Sequence, residues 1–344
     1  MPSVGIEPTT TGLEVRCSIQ LSYEGDTTNL PSGLQRPSWR LLHTPSTTVS
    51  DVRPRLLVVF AAMCFSTTGT AQELGPEDAS PLAVAVMRTL VGALALAVVA
   101  RTMPTPPRRS TVATWHWWIA GAGMAGYAVA FFAAVRMTGV AVGTVVALGS
   151  APLFAGVISV AVWRHPPTRR WLVTTAVAIG GVAMIVAQGD TGEVDTFGIA
   201  LAAMAGLSYA LFAHSSKVIL GAQPSSAHAM AIVFGIAALL LSPLLLVVDF
   251  GWIATAAGAT MALWLGVVTV AVAYWAYATG LKDLKPTDTT ALTLVEPVLA
   301  TILAATILGE RPTMVAWAGI VVVLVSLALN GRGDHDALPS AVQH

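Results

Sequence analysis

Two charged side chains stand where charge is expensive. Glu296, followed directly by Pro297, lies inside the apolar run TLVEPVLATILAATILGERPT at residues 293–313, and Arg88 lies inside PLAVAVMRTLVGALALAVV at residues 81–99. A carboxyl there can bind an ammonium group or carry an exchanged proton, and a guanidinium, which keeps its charge, can clamp a carboxylate or a phosphate. If these runs cross a bilayer, each charge costs about 2.5–3.5 kcal/mol on insertion, so a compensating role is expected. At helical spacing Thr289, Thr293, Glu296, Ala300 and Ala304 share one small, polar face. Pro297 has no backbone N–H to give and so frees the carbonyl of Thr293. Plainer readings stand beside these. Glu296 can be a protonated carboxyl bonded to a neighbouring helix, and Arg88 can snorkel, tie helix carbonyls together or pair with Glu296.

Other polar groups are sparser. His214 and Lys217 fall toward one end of a further apolar run, with Ser208 and Tyr209 deeper in it. Tyr209 and His214 are candidates for the same pathway, His214 as a gate or proton relay or simply as a hydrogen-bonded ring; Lys217 reads as an interfacial anchor. Trp115, Trp117 and Trp118, Phe131 and Phe132, and Tyr274, Trp275 and Tyr277 fall near run ends, which an aromatic belt explains better than a substrate cage; Tyr127 and Trp264 are weaker cage candidates still. Enzymatic chemistry finds little support. There is no HExxH and no GxxxxGK[ST] phosphate loop, and the seven histidines build no metal cluster. No cofactor, metal or catalytic residue is expected.

Composition says what positions these groups. The chain has 344 residues, 55% hydrophobic and 10% charged, with a mean hydropathy of +0.72. Soluble domains carry about a quarter charged residues, so this chain could not clothe a soluble surface. The net charge of zero suggests no nucleic-acid partner. Two cysteines, Cys17 and Cys64, build no disulfide framework. The expectation is an all-α polytopic membrane protein whose surroundings are the lipid bilayer.

Ten apolar segments of membrane-spanning length follow Arg55: about 56–73, 81–100, 116–136, 140–163, 170–188, 197–217, 227–248, 259–280, 287–308 and 313–330. With the N-terminus inside, twelve Lys/Arg fall on cytoplasmic positions, and the outer loops hold only Arg136 and Arg311. Both termini are then cytoplasmic. Residues 1–54 differ in composition. They read as a disordered cytoplasmic tail, or as a misplaced gene start, because VGIEPTTTGLEVRCSIQLSYEG resembles the translation of an upstream tRNA gene; the true start would then lie near Val49 or Val52. Residues 331–344 form a cytoplasmic C-terminal tail, where the RGD at 332–334 is poorly placed for cell adhesion.

The chain repeats itself. A shift of 145 residues lays AVGTVVALGSAPLFAGVISVAVWRHPPT over DTTALTLVEPVLATILAATILGERPT, so that Thr144 meets Thr289 and Pro152 meets Pro297. Two halves of five spans follow, at about 55–188 and 189–330. Because five is odd, the second enters the membrane in the opposite sense, giving ten transmembrane helices as two inverted five-helix repeats. Matching prolines, Pro152 and Pro297, then mark paired helix breaks that free the carbonyls of Leu148 and Thr293 toward a midplane cavity, or else packing kinks relieved by neighbouring helices. Gly309-Glu310-Arg311 at the outer end of span 9 reads as a turn-shaping element. Its counterpart in the first half is Arg164-His165.

These features together resemble the EamA-type members of the drug/metabolite transporter superfamily. The resemblance covers residues 55–330 and is carried by the two repeats, by VMRTLVGALALAVV, and by LVEPVLATILAATILGERPTMVAWAGIVVVLVSLAL. Arg164-His165 departs from it. It implies a bacterial inner-membrane secondary carrier, not an enzyme. Such carriers move small molecules by alternating access, mostly as exporters of amino acids, other metabolites or toxic compounds, with uptake in some members. Coupling to protons or another ion is compatible with the reading, as is a homodimer.

Overall fold

The computed structural model of the protein describes residues 49–104, 111–164, 166–187 and 195–332. The N-terminal segment as far as residue 48, Arg108 and Arg109, His165, Asp190 and Glu193, and the RGD beyond Arg332 lie outside the described residues. Among the described residues every regular element is helical. That is what lipid demands, since each backbone polar group must be satisfied within its own segment.

The first repeat runs through α1 (Val49–Glu73), α2 (Pro81–Thr102), α3 (Thr114–Trp163) and α4 (Arg169–Val186). The second runs through α5 (Thr196–Ala222), α6 (Ser226–Leu241), α7 (Ala256–Gly266), α8 (Ala273–Leu281), α9 (Pro286–Leu292), α10 (Glu296–Leu303) and α11 (Met314–Arg332). Several starts are written in the sequence. Ser80, Thr168, Asp195, Ser225 and Thr255 each accept a hydrogen bond from a backbone N–H of the first turn, on α2, α4, α5, α6 and α7 respectively. Pro81 adds the proline that suits a first helical position.

Nine segments among the described residues are long and apolar enough to cross a membrane, and Met314–Asn330 is a shorter apolar helix. The chain thus makes a multi-pass membrane protein. α7 and α8 form one span through a π-helical join at Val267–Val272, and α9 and α10 form another.

Two spans expected as separate helices, the third and fourth, are one continuous helix, α3. It is not straight. A β-carbon added at Gly143 would stand 3.2 Å from the Cα of Val135, eight residues earlier. Eight residues of straight helix rise about 12 Å, so the chain folds back between the two limbs without a loop. Both limbs then flank α5. Gly123 meets the backbone of Ser208 and Phe212, and Gly206 of α5 meets Ala147, Ser150 and Ala151.

The packing respects the repeat. α2 packs on α6 and α4 on α11, so each of these helices meets its own counterpart in the other half. α1 packs on α8 and α10, and the limbs of α3 pack on α5, so those pairings exchange when the halves are exchanged. At the α4–α11 crossing the contact is reciprocal. A β-carbon on Gly181 would lie 2.9 Å from the Gly319 carbonyl, and one on Gly319 would lie 2.6 Å from the Gly181 carbonyl. Only glycine at both positions lets the two backbones approach so closely.

Candidate functional site

The helices enclose a cavity of about 700 Å³. Its lining reaches from the exposed Glu73, Glu310 and Arg311, with Pro81, at the open end of the bundle to the buried Met124, Tyr209, Phe234 and Tyr274. That is room for a metabolite of a few tens of atoms, within the usual range of small-molecule sites.

Its distinctive walls come from broken backbone. The α-helical pattern of the ninth span gives way to a 3₁₀ turn at Thr293–Val295, and α10 restarts with Glu296 and Pro297 in its first turn. The restart suits a residue that has no N–H to give. From this element Thr293, Glu296, Pro297, Ala300, Thr301 and Ala304 line the cavity. Arg88 reaches the same space from α2, beside Thr89. The guanidinium acts electrostatically on Glu296, Tyr127 and Tyr274, which puts both charges and two phenol rings in one chamber. No hydrogen bond or ion pair among the described residues joins Arg88 to Glu296. Each side chain is half-buried and faces the open volume. A cation and an anion held apart in a partly dry chamber can bind the opposite ends of a zwitterion, or can pass a proton to and from the carboxyl.

Not every candidate falls here. Tyr209 lines the cavity, and Thr293 does so while its hydroxyl donates to the Thr290 carbonyl at 2.7 Å. Thr289 is fully buried away from it, with its hydroxyl on the Lys285 carbonyl at 2.9 Å. His214 is also buried elsewhere, Nδ1 lying 3.0 Å from the Ala210 carbonyl and Nε2 lacking a partner. The two prolines are not equivalent. Pro297 stands at the change of helix type, whereas α3 runs through Pro152, which is buried outside the cavity lining. Leu148, whose carbonyl Pro152 leaves without its helical donor, does line the cavity.

Two sequence readings need correction. Phe131, Phe132 and Tyr274 do not form an interfacial belt: they line the cavity together with Phe65, Tyr127 and Tyr209. Their rings are coupled, Tyr127 to Phe131 at 5.6 Å and to Tyr209 at 5.5 Å, and Tyr274 to Phe65 at 4.8 Å and to Phe234 at 4.6 Å. The spans end close to where the sequence puts them, at Thr138 and Leu281, and these rings stand about two helical turns inside those ends, on the faces turned toward the chamber. Trp115, Trp118 and Trp275 do face outward. So does Trp264, which donates to the Thr67 hydroxyl at 3.1 Å. Lys217, read as an anchor at the membrane surface, instead turns inward: its ammonium donates to the carbonyls of Leu281 at 2.9 Å and Lys282 at 2.6 Å.

The sequence profile of the EamA-like transporter family matches residues 53–187 and again residues 196–332. This chain belongs to the EamA-like transporter family. Each matched stretch contains five of the apolar helical segments, the two limbs of α3 counting as two. Among relatives, the EamA-like chain is 36% identical over 275 residues to the uncharacterized transporter YwfM of Bacillus subtilis, spanning 79% of this chain and 91% of that protein. An uncharacterized transporter of Clostridium kluyveri is 30% identical over 176 residues, 48% of this chain and 55% of that one. A solved crystal structure superposes with a TM-score of 0.66, covering 80% of this chain and 96% of the other; at 18% identity the likeness concerns the fold alone.

Proposed function

We propose that the protein is a secondary carrier that exports amino acids, related small metabolites or toxic compounds by alternating access, with the cavity between its two halves as the substrate site. The observation that carries this reading is the single chamber, open at one end of the bundle, into which Arg88 and Glu296 both face without pairing. A chamber that holds separated charges of both signs suits a zwitterion whose carboxylate meets Arg88 and whose ammonium meets Glu296, while its apolar body rests on the aromatic wall. Glu296 also carries the exchanged proton that couples transport to the ion gradient.

Two observations support the inverted sense of the halves. Each family stretch holds an odd number of spans, and the self-matching pairs α2–α6 and α4–α11 are what a twofold axis in the membrane plane requires. With Lys and Arg concentrated on one side, the termini lie in the cytoplasm of a bacterial cell and the cavity opens outward. The conformation is then the one that releases an exported substrate.

Growth protection tests the reading. Wild type and Glu296→Gln are expressed at matched membrane levels in a sensitive host and challenged with amino acids in excess, toxic analogues and cationic drugs. Wild type is expected to protect against at least one class and Glu296→Gln to lose that protection. Protection by both would remove Glu296 from the mechanism, and accumulation of the compound in place of protection would reverse the direction.

A further inference from the structure

Opposite its mouth, the bundle is shut by a specific set of bonds. Below the aromatic floor, Phe212 and Tyr277 are fully buried against each other, with ring centroids 6.0 Å apart. Beyond them Lys217 of α5 donates to the carbonyls of Leu281 and Lys282, at the end of α8, at 2.9 Å and 2.6 Å. Lys282 returns the contact, its ammonium donating to the Pro224 carbonyl just past α5 at 2.8 Å. Helix ends leave carbonyls without partners, and here the end of α8 is satisfied by a cation from α5, while the turn that follows α5 takes a cation from the end of α8. The backbone of α1 closes the same end, because a β-carbon at Gly280 would stand 2.5 Å from the Pro54 carbonyl.

The closure leaves something unsatisfied. On α5, within one turn of Lys217, the Nε2 of His214 and the hydroxyl of Ser216 are buried without any hydrogen-bond partner. An unpaired polar atom in a dry interior is destabilising, and water relieves it. Polar groups orphaned in the closed form beside a bonded helix junction have the character of a path lining whose path is shut.

We propose that Lys217 and Lys282 are the inner gate, and that the path to the second face opens between the ends of α5 and α8, wetting His214 and Ser216. This rests on the carrier reading and adds the gating residues to it. The crossed lysines hold the state in which the cavity mouth is open. Breaking them shifts the population toward the state in which the mouth closes and the gate opens.

The test uses the full chain in lipid nanodiscs, where both faces meet solvent, with Cys17 and Cys64 replaced by Ser and Ala. Reaction rates with a charged maleimide are measured for Ser216→Cys, reporting on the gate, and for Thr68→Cys, reporting on the cavity. With the lysines intact, Thr68→Cys reacts fast and Ser216→Cys slowly. Lys217→Met is expected to raise the Ser216→Cys rate about tenfold and to lower that of Thr68→Cys, a shift of about 1.4 kcal/mol between the two states. Lys282→Gln is expected to act in the same direction, and Lys217→Arg to restore the original pattern. Unchanged rates in a monodisperse variant would overturn the proposal, and so would equal acceleration at both positions, which is loosening and not gating. No substrate enters the assay. A protein that protects cells but shows no reciprocal change defeats the gate alone, and one that shows the change but moves no tested compound defeats the substrate reading alone.

Discussion

Arg164 and Gly309 stand 145 residues apart and hold the same unusual backbone conformation. Both cap the C-terminus of a cavity-wall helix in the left-handed region, Arg164 with φ 53° and Gly309 with φ 72°. Arg164 is the one non-glycine residue with positive φ among the described residues. The offset is the one that aligns the two repeats, so the turn is preserved where its residue type is not.

A side chain in that region costs about 1–2 kcal/mol, and glycine avoids the cost. Gly309→Ala is therefore expected to lower the thermal unfolding midpoint of the purified protein. Arg164→Gly is expected to leave it equal or raise it. A lower midpoint for Arg164→Gly would mean that the arginine side chain contributes more than its backbone costs.

How far the sequence discloses the molecule follows from the same comparison. Spans are legible because length and apolarity are local properties, and the repeat is legible because GERPT and RHPPT fall in step. Glu296 and Arg88 are legible as costly charges, and both reach the cavity. The aromatic wall is not. Nothing local tells whether Phe131 or Tyr274 faces lipid or a chamber, since both settings reward a ring; only the packing of α3 and α8 decides it. The turn inside α3 escapes for a similar reason. GVAVG at residues 139–143 carries no proline and no charge, and the chain reverses there within a helical pattern. Lys217 misleads because a lysine near a span end is usually solvated, and its partners are carbonyls of a helix 64 residues away.

The α4–α11 crossing admits a direct check. Gly180 has open space where a β-carbon would go, whereas Gly181 faces the Gly319 carbonyl at 2.9 Å. Gly180→Ala is expected to be neutral. Gly181→Ala should cost about 1–3 kcal/mol through overpacking and lower the yield of monodisperse protein. Size-exclusion profiles of the two variants at equal expression make the comparison, and equal profiles would show that the crossing can yield.

Because Arg88 and Glu296 do not pair directly, exchanging them should fail. The variant Arg88→Glu with Glu296→Arg is expected to transport no better than either single change, because a bound zwitterion would meet the wrong charge at each end. Arg88→Met alone should raise KM for a carboxylate substrate about tenfold or more while the protein stays folded. Transport restored by the double exchange would show that the two charges serve each other and not the substrate.

The phenols of Tyr127 and Tyr274 separate contact with the substrate from support of the floor. Tyr274 donates its hydroxyl to the Met124 sulfur at 3.7 Å, a weak bond made within the protein. Tyr127 makes no side-chain hydrogen bond among the described residues: it stacks on Phe131, lines the cavity, and lies within electrostatic reach of both Glu296 and Arg88. The same chemical change, removal of one hydroxyl, is therefore expected to act differently at the two positions. Tyr274→Phe should keep KM within about twofold, since a neutral bond to sulfur contributes little. On the zwitterion reading, Tyr127→Phe should raise KM about tenfold, because a hydroxyl at the edge of the aromatic wall within electrostatic reach of Arg88 and Glu296 would share a charged end of the substrate with them, and such bonds are worth about 1.5–3 kcal/mol. Thermal midpoints should stay level in both. Equal KM values for the two variants would place the substrate deeper in the chamber than Tyr127, against the floor itself.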